Sequence, residues 1–167
     1  MKRIKIVAAT LLVGVLLFAL ASCGGALGTL SSFVGAVKKA DFTKAATYVV
    51  GNPSLSNPTT SNEMGTYIFE KAANSFSYKV TEENSSSDEN SCTVKLSYSG
   101  YSGTQIALKY AARILSGSEA TKGTVDNIVK EMTKKEGTTT VVLVKNDSGD
   151  WKVEAASATA LVAIIYG

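Results

Sequence analysis

The chemistry open to this chain is limited first by the side chains it lacks. Its 167 residues include two cysteines, Cys23 and Cys92, and no histidine. A Ser-His-Asp triad is excluded, because the imidazole is the group that takes the serine proton in that mechanism. Zinc and other transition metals are not expected either, since their sites use three or four protein ligands. We expect no metal, no cofactor and no catalytic residue.

Four aromatic or thiol side chains could still meet inside a fold, and we treat Tyr78, Tyr98, Cys92 and Trp151 as a candidate pocket. The tyrosines can donate hydrogen bonds, and the cysteine can in principle act as a nucleophile. A reactive thiolate needs an activating base or a positive neighbour, and no histidine supplies one. Core packing is therefore the more ordinary role for these residues. Asp41 is interpreted as a helix cap rather than as a catalytic base.

Cys23 stands at the end of an export signal. Three basic residues within the first five positions precede an uncharged apolar run over 6–20, and small residues then lead into Cys23. This layout is typical of a secretory signal peptide, here 1–22. The alternative is an uncleaved membrane-spanning helix, but the run is shorter than the roughly 20 residues such a helix needs. The segment Leu20-Ala21-Ser22-Cys23 resembles the lipobox of bacterial lipoproteins, which implies cleavage before Cys23 and lipidation of that residue.

Lipidation would determine both the location and the charge of the protein. Several acyl chains hold a protein stably on a membrane, so we expect an exported protein anchored to the outer face of the cell membrane or to a periplasm-facing membrane surface. Residues 23–28 would be the lipidated tether. Loss of the signal leaves 14 basic and 14 acidic residues, and we expect no nucleic-acid binding. Because acylation uses the sulfur of Cys23, no disulfide is expected within the mature chain.

Residues 29–167 have the size of one domain. Apolar side chains spaced by three and four predict helices, and this spacing occurs in 27–39, 42–49, 62–74, 104–115 and 124–135. Alternating apolar and polar side chains predict strands, and this alternation occurs in 76–81, 92–98, 138–145 and 151–155. The polar run 82–90 is interpreted as a solvated hairpin tip rather than a calcium loop, and 146–150 as a second hairpin turn.

The last two predicted helices and the C-terminal segment carry further local signals. The inner side of the helix over 104–115 is predicted to consist of Ala107, Tyr110, Ala111, Ile114 and Leu115. Gly137 is predicted to close the helix over 124–135 behind two lysines. Residues 158–166 are predicted to form a short terminal helix, with a continued strand as the alternative.

This order of elements predicts an α+β domain with N-terminal helices packed on one face of an antiparallel sheet and a helical insertion between strands. The segment 33–50, the pattern Phe76-x-Tyr-x-Val and the segment 142–153 resemble, in this order, the nuclear transport factor 2-like superfamily, also called the cystatin-like cone. The likeness is closest to small bacterial lipoproteins of uncharacterised function. It implies a curved, cone-shaped sheet.

That superfamily includes isomerase-like and dehydratase-like enzymes as well as binding domains, so the resemblance does not choose a function. Its enzymes use a carboxylate or histidine base inside the cone, whereas the inward positions assigned here carry no carboxylate. We therefore favour a non-enzymatic interaction domain that contacts an envelope protein or a wall polymer through its sheet or through 104–136. The alternative is a small apolar-ligand pocket protein or isomerase-like enzyme, with Tyr78 and Tyr98 as polar handles.

Overall fold

The computed structural model describes residues 25–57, 62–87 and 89–167. The predicted signal peptide and Cys23 lie outside these ranges. The described helices are α1 Ala26–Lys38, α2 Phe42–Thr47, α3 Glu63–Ser75, α4 Gly103–Leu115, α5 Lys122–Glu131 and α6 Ala155–Tyr166. The described strands are β1 Ser77–Ser85, β2 Ser91–Gly100, β3 Lys135–Lys145 and β4 Trp151–Val153.

The four strands form one antiparallel sheet in the order β1-β2-β3-β4. Every second residue of a strand points to the same face, and on β2, β3 and β4 such positions carry apolar side chains that are fully buried: Cys92, Val94, Leu96, Val141, Leu143 and Val153. Helices α1 and α6 pack against them. The α+β class and the antiparallel sheet are therefore confirmed.

The helices begin where capping residues were expected. The Asp41 carboxylate accepts a hydrogen bond from the Lys44 backbone N–H at 3.0 Å, which satisfies an amide that the first helical turn leaves without an intrahelical partner. Asn62 caps α3 in the same way, through the Met64 N–H at 2.8 Å. The role of Asp41 as a helix cap is thus confirmed.

Helices α4 and α5 pack on α3 and form a second apolar cluster: Ile68, Ala72, Ile106, Val125 and Ile128. The predicted inner side of α4 is partly wrong, because Ala111 and Leu115 are exposed while Ile106 is fully buried. The reason is that α4 contacts a neighbouring helix rather than the sheet, so only a narrow stripe of it is covered.

The predicted end of the fifth helix is also wrong. Helix α5 ends at Glu131, and Gly137 lies inside β3 opposite Tyr98. A β-carbon at Gly137 would lie 2.6 Å from Tyr98 Oη and 2.7 Å from Cζ. The glycine therefore allows the tyrosine ring to lie across the neighbouring strand; it does not terminate a helix.

The first hairpin is longer than predicted. Strand β1 continues to Ser85, and its register against β2 shifts between Val80 and Glu82. A bulge of this kind inserts one extra residue and reverses which side chains face inward. Beyond it, Glu82 lies opposite Lys95 and Glu83 lies opposite the buried Val94. The Glu83 carboxylate oxygens are buried on the inner side of the sheet, so the expectation that inward positions carry no carboxylate is wrong at this residue. The sequence did not predict this part of the strand, because the residues are polar and the alternation of inward and outward side chains changes phase at the bulge.

The C-terminal part follows the predicted order. Asn146 Oδ1 accepts hydrogen bonds from the backbone N–H groups of Ser148 and Asp150, at 3.1 and 2.8 Å, and forms the expected turn. Strand β4 stops at Val153 because α6 begins at Ala155. The terminal segment is a helix, which decides between the two alternatives.

The N-terminal boundary differs from the predicted tether. Ala26 already belongs to α1 and is fully buried. A β-carbon at Gly25 would lie 3.3 Å from Cδ1 of Trp151, so the chain joins the domain at least three residues earlier than expected. Only two residues separate Cys23 from this point.

Candidate functional site

Two of the four candidate pocket residues lie together. Tyr78 and Tyr98 are cross-strand partners on the inner face of the sheet, at the end where β2 leads into α4. Their rings flank Phe76, with centroid distances of 6.2 and 6.1 Å. Aromatic pairs at such distances stabilise packing. The two tyrosines are therefore part of an aromatic cluster at the edge of the core.

Cys92 lies elsewhere on β2, six residues from Tyr98 and thus about 20 Å away along the strand. It is fully buried, lies opposite Leu143 and is disulfide-bonded. The expectation of no disulfide is wrong for this structure. That expectation depended on acylation of Cys23, and the chain contains only two cysteines. An intrachain disulfide at Cys92 and an acylated Cys23 sulfur cannot exist in the same molecule.

Trp151 lies at the same end of the sheet as the start of α1. It is opposite Lys145 in the β3–β4 ladder, and the Lys145 ammonium lies 5.2 Å from its ring centroid. This is a cation–π distance. Trp151 and Cys92 therefore do not meet the two tyrosines in a common pocket.

The space between the sheet and the helices is largely filled. A recess of about 150 Å³ remains near Phe76, Tyr98 and Tyr101, and no carboxylate side chain lines it. General-base chemistry needs such a group within hydrogen-bond reach of the substrate. Within the described ranges no three His, Cys, Asp or Glu side chains are placed to hold a metal ion. The same ranges contain no helix long and apolar enough to cross a membrane.

The outer face of the sheet carries a shallow groove of about 620 Å³. Side chains at alternate positions share a face, and the outer positions here are Ser77, Lys79, Ser97, Ser99, Glu136 and Thr138. The Ser77 and Ser99 hydroxyl oxygens are 3.1 Å apart. Tyr78, Tyr98 and Gly137 also line this groove, so it combines hydrogen-bonding groups with apolar surface.

Helix α4 exposes large apolar side chains. Leu108 is 66% exposed and Leu115 is 89% exposed. Seven residues separate them, so they lie on one side of the helix, and Ala111 and Ala112 between them are also exposed. We call these four residues the α4 stripe. Large exposed side chains that share one helix face are typical of a contact surface.

The charge around the α4 stripe is positive. Residues 103–135 contain six basic and three acidic residues, although residues 23–167 as a whole are balanced. Lys109 and Arg113 belong to α4 itself, and Arg113 forms an ion pair with Glu131 of α5 at 2.6 Å. The helical insertion is therefore an apolar and basic surface on a domain that is otherwise acidic.

A polar cluster that the sequence interpretation missed joins α5 to α3. The Tyr67 hydroxyl donates a hydrogen bond to Asp126 Oδ1 at 2.9 Å, and Lys71 Nζ lies 2.7 Å from the same oxygen. Lys122 Nζ lies 2.7 Å from Glu63 Oε1. The hydrogen bonds from Lys71 and Tyr67 lower the pKa of Asp126. The sequence could have indicated this cluster, because its charged and tyrosine residues are spaced by four within each helix and therefore share a helix face.

Comparisons with protein-family models, curated proteins and solved structures find no match. The function must therefore be argued from the surfaces of the domain.

Proposed function

We propose that this protein is a lipid-anchored lipoprotein of the cell envelope, in which acylation of Cys23 replaces the disulfide that the structure has at Cys92. Its domain binds another envelope protein and catalyses no reaction. The observation that carries the proposal is the α4 stripe, where Leu108 and Leu115 are exposed on one helix face. Burying these exposed apolar side chains against a partner would remove them from water, which favours association.

The interior of the domain supports binding over catalysis. Most inward positions of β2 and β3 are aliphatic and buried, and helices pack against this inner face. We propose that the domain is a nuclear transport factor 2-like cone whose interior is packed rather than hollow. The order of helices, hairpin, helical insertion and second hairpin supports this assignment.

The geometry is consistent with attachment at one end and binding at the other. Gly25, two residues after Cys23, lies against Trp151. Helix α1 has 13 residues and is therefore about 20 Å long. At its other end the Val37 carbonyl accepts a hydrogen bond from the Tyr166 hydroxyl at 2.6 Å. The C-terminal residues of α6 lie beside Gly103, where α4 begins. Helix α4 thus starts far from the predicted anchor.

The chemistry of the α4 stripe favours a protein partner over a wall polymer. A polyhydroxylated polymer is recognised by hydrogen bonds and aromatic rings, which this face of α4 lacks. An apolar helix face instead fits an apolar groove on another protein. Because Lys109 and Arg113 flank the stripe, the groove should have an acidic rim.

Photocrosslinking in intact envelopes tests the partner. A benzoylphenylalanine at position 108 should yield one crosslinked protein. Val50 is another exposed aliphatic residue, 40% exposed, and the same probe at position 50 is the matched control. Crosslinks to lipid alone at position 108, or equal protein yields at both positions, would contradict the proposal.

Cys23→Ser tests the anchor. We expect the wild-type protein in the membrane fraction and the variant outside it, with Ser31→Ala as a control that remains membrane-bound. Alkylation of the denatured protein provides an independent measurement. A lipidated chain should label at Cys92 without reductant, whereas labelling that requires reductant would show that the disulfide, and not acylation, is the fate of the cysteines.

A further inference from the structure

A second concave surface lies between the loop over 53–56 and α6, and its volume is about 460 Å³. Its walls are apolar and come from Leu55, Phe69, Val162, Ala163 and Tyr166. Its remaining lining side chains, apart from those of Pro53 and Ala155, are hydroxyls. No charged side chain lines it. We call this the α6 pocket.

The walls of the α6 pocket are held by contacts outside it. The Tyr166 hydroxyl is bound to the Val37 carbonyl, and its ring lies 5.9 Å from the Phe42 ring and 6.0 Å from the Phe69 ring, between centroids. At Gly103 a β-carbon would lie 2.8 Å from Phe69 Cδ1, so the glycine allows α4 to approach this wall. The aromatic wall is thus fixed before any ligand arrives.

The opposite wall is shaped by the loop. Gly51 and Asn52 have positive φ angles of 73° and 46°, and Pro53 follows with its own fixed φ. These residues reverse the chain direction after α2. Leu55 then packs against the main core while the flanking serines stay exposed. The loop therefore presents one aliphatic side chain across from α6.

We propose that the α6 pocket binds an uncharged, largely aliphatic small ligand, such as an acyl chain or a long-chain alcohol. Its volume is in the range of small-molecule sites, which are mostly apolar with a few polar groups. An anionic headgroup would find no basic side chain in the lining, whereas a hydroxyl or ester could bind the serine and threonine hydroxyls. This site is separate from the α4 stripe and does not depend on the proposed partner.

Photolabelling of the full chain in phosphatidylcholine vesicles tests this site. The probe is azi-octanol, an uncharged alcohol with a photoactivatable diazirine. We expect labelled peptides that contain Leu55 or Val162, and loss of that label when excess octanol competes. Excess octanoate should compete less, because its carboxylate is charged.

A pair of variants on α6 separates the site from general labelling. Ala163 is exposed and lines the pocket, so Ala163→Trp should fill it and abolish the label. Ala160 is exposed on the same helix and does not line it, so Ala160→Trp should leave labelling unchanged. Equal labelling of both variants, or label only near the N-terminus, would overturn the proposal. Partner crosslinking at position 108 should survive Ala163→Trp, so the two proposals can fail separately.

Discussion

Replacing both leucines of the α4 stripe by serine should abolish partner capture without unfolding the domain. Leu108 and Leu115 are 66% and 89% exposed, so the folded domain gains little from them. Surface substitutions usually change the free energy of unfolding by less than about 0.5 kcal/mol. Full burial of a leucine side chain is worth roughly 1.5–3 kcal/mol. Scaled by the exposed fractions, the pair should contribute about 2.3–4.7 kcal/mol to partner binding, or roughly a 40- to 2,000-fold change in affinity.

The assay combines urea unfolding with quantitative recovery of the partner from crosslinked envelopes. Ile106→Ala is the contrasting variant, because Ile106 is fully buried in the second cluster. That substitution should cost about 2–5 kcal/mol of unfolding free energy. Val50→Ser should change neither quantity. Unchanged partner recovery in the double serine variant would refute the interface, and a loss of stability comparable to that of Ile106→Ala would refute its assignment as exposed surface.

Three further predictions concern packing and titration. Gly137→Ala should cost about 1–3 kcal/mol in urea unfolding, because a β-carbon would force the Tyr98 ring to move; unaltered stability would contradict that contact. Tyr166→Phe should cost about 1 kcal/mol, since the Val37 carbonyl keeps a second donor, the Ala40 N–H at 2.9 Å. Burial raises the pKa of Tyr166, so this tyrosine's contribution should be lost as pH rises above 10, and the phenylalanine variant should lack that loss. Because the pKa of Asp126 is lowered on folding, its carboxylate should contribute to the free energy of unfolding above about pH 4, and this contribution should be lost as the pH falls further. Asp126→Asn should remove this dependence in hydrogen exchange of α5, and an unchanged acid profile would contradict it.

The parts of the fold that could be predicted are those with local causes. Asp41 caps a helix because its carboxylate reaches an amide three residues later, and nothing distant is needed for that contact. The turn over 146–150 depends on Asn146 in the same way. The alternation of Cys92, Val94 and Leu96 reports a buried face directly, because a strand repeats every two residues.

The errors have a different origin, since they depend on what packs against each element. The inner side of α4 was predicted correctly for Ala107 and Tyr110 but wrongly for Ala111 and Leu115, because α4 packs on α3, which the sequence of α4 does not identify. Glu83 was placed in a loop because a single bulge shifts the register. Gly137 was predicted to end a helix because two lysines precede it. Its actual role is to leave room for the Tyr98 ring on the adjacent strand. Each of these needs a neighbour that is distant in sequence.

The difference between local and distant causes also explains why the four candidate pocket residues do not lie together. Tyr78, Tyr98, Cys92 and Trp151 share an alternation phase, and phase specifies a face of the sheet but not a position along it. Cys92 lies about 20 Å from Tyr98 on one strand, and β4 places Trp151 opposite Lys145. Aliphatic side chains occupy the positions between them, so the inner face is a core. The partner and ligand surfaces that we propose accordingly lie away from this inner face, on α4 and on α6.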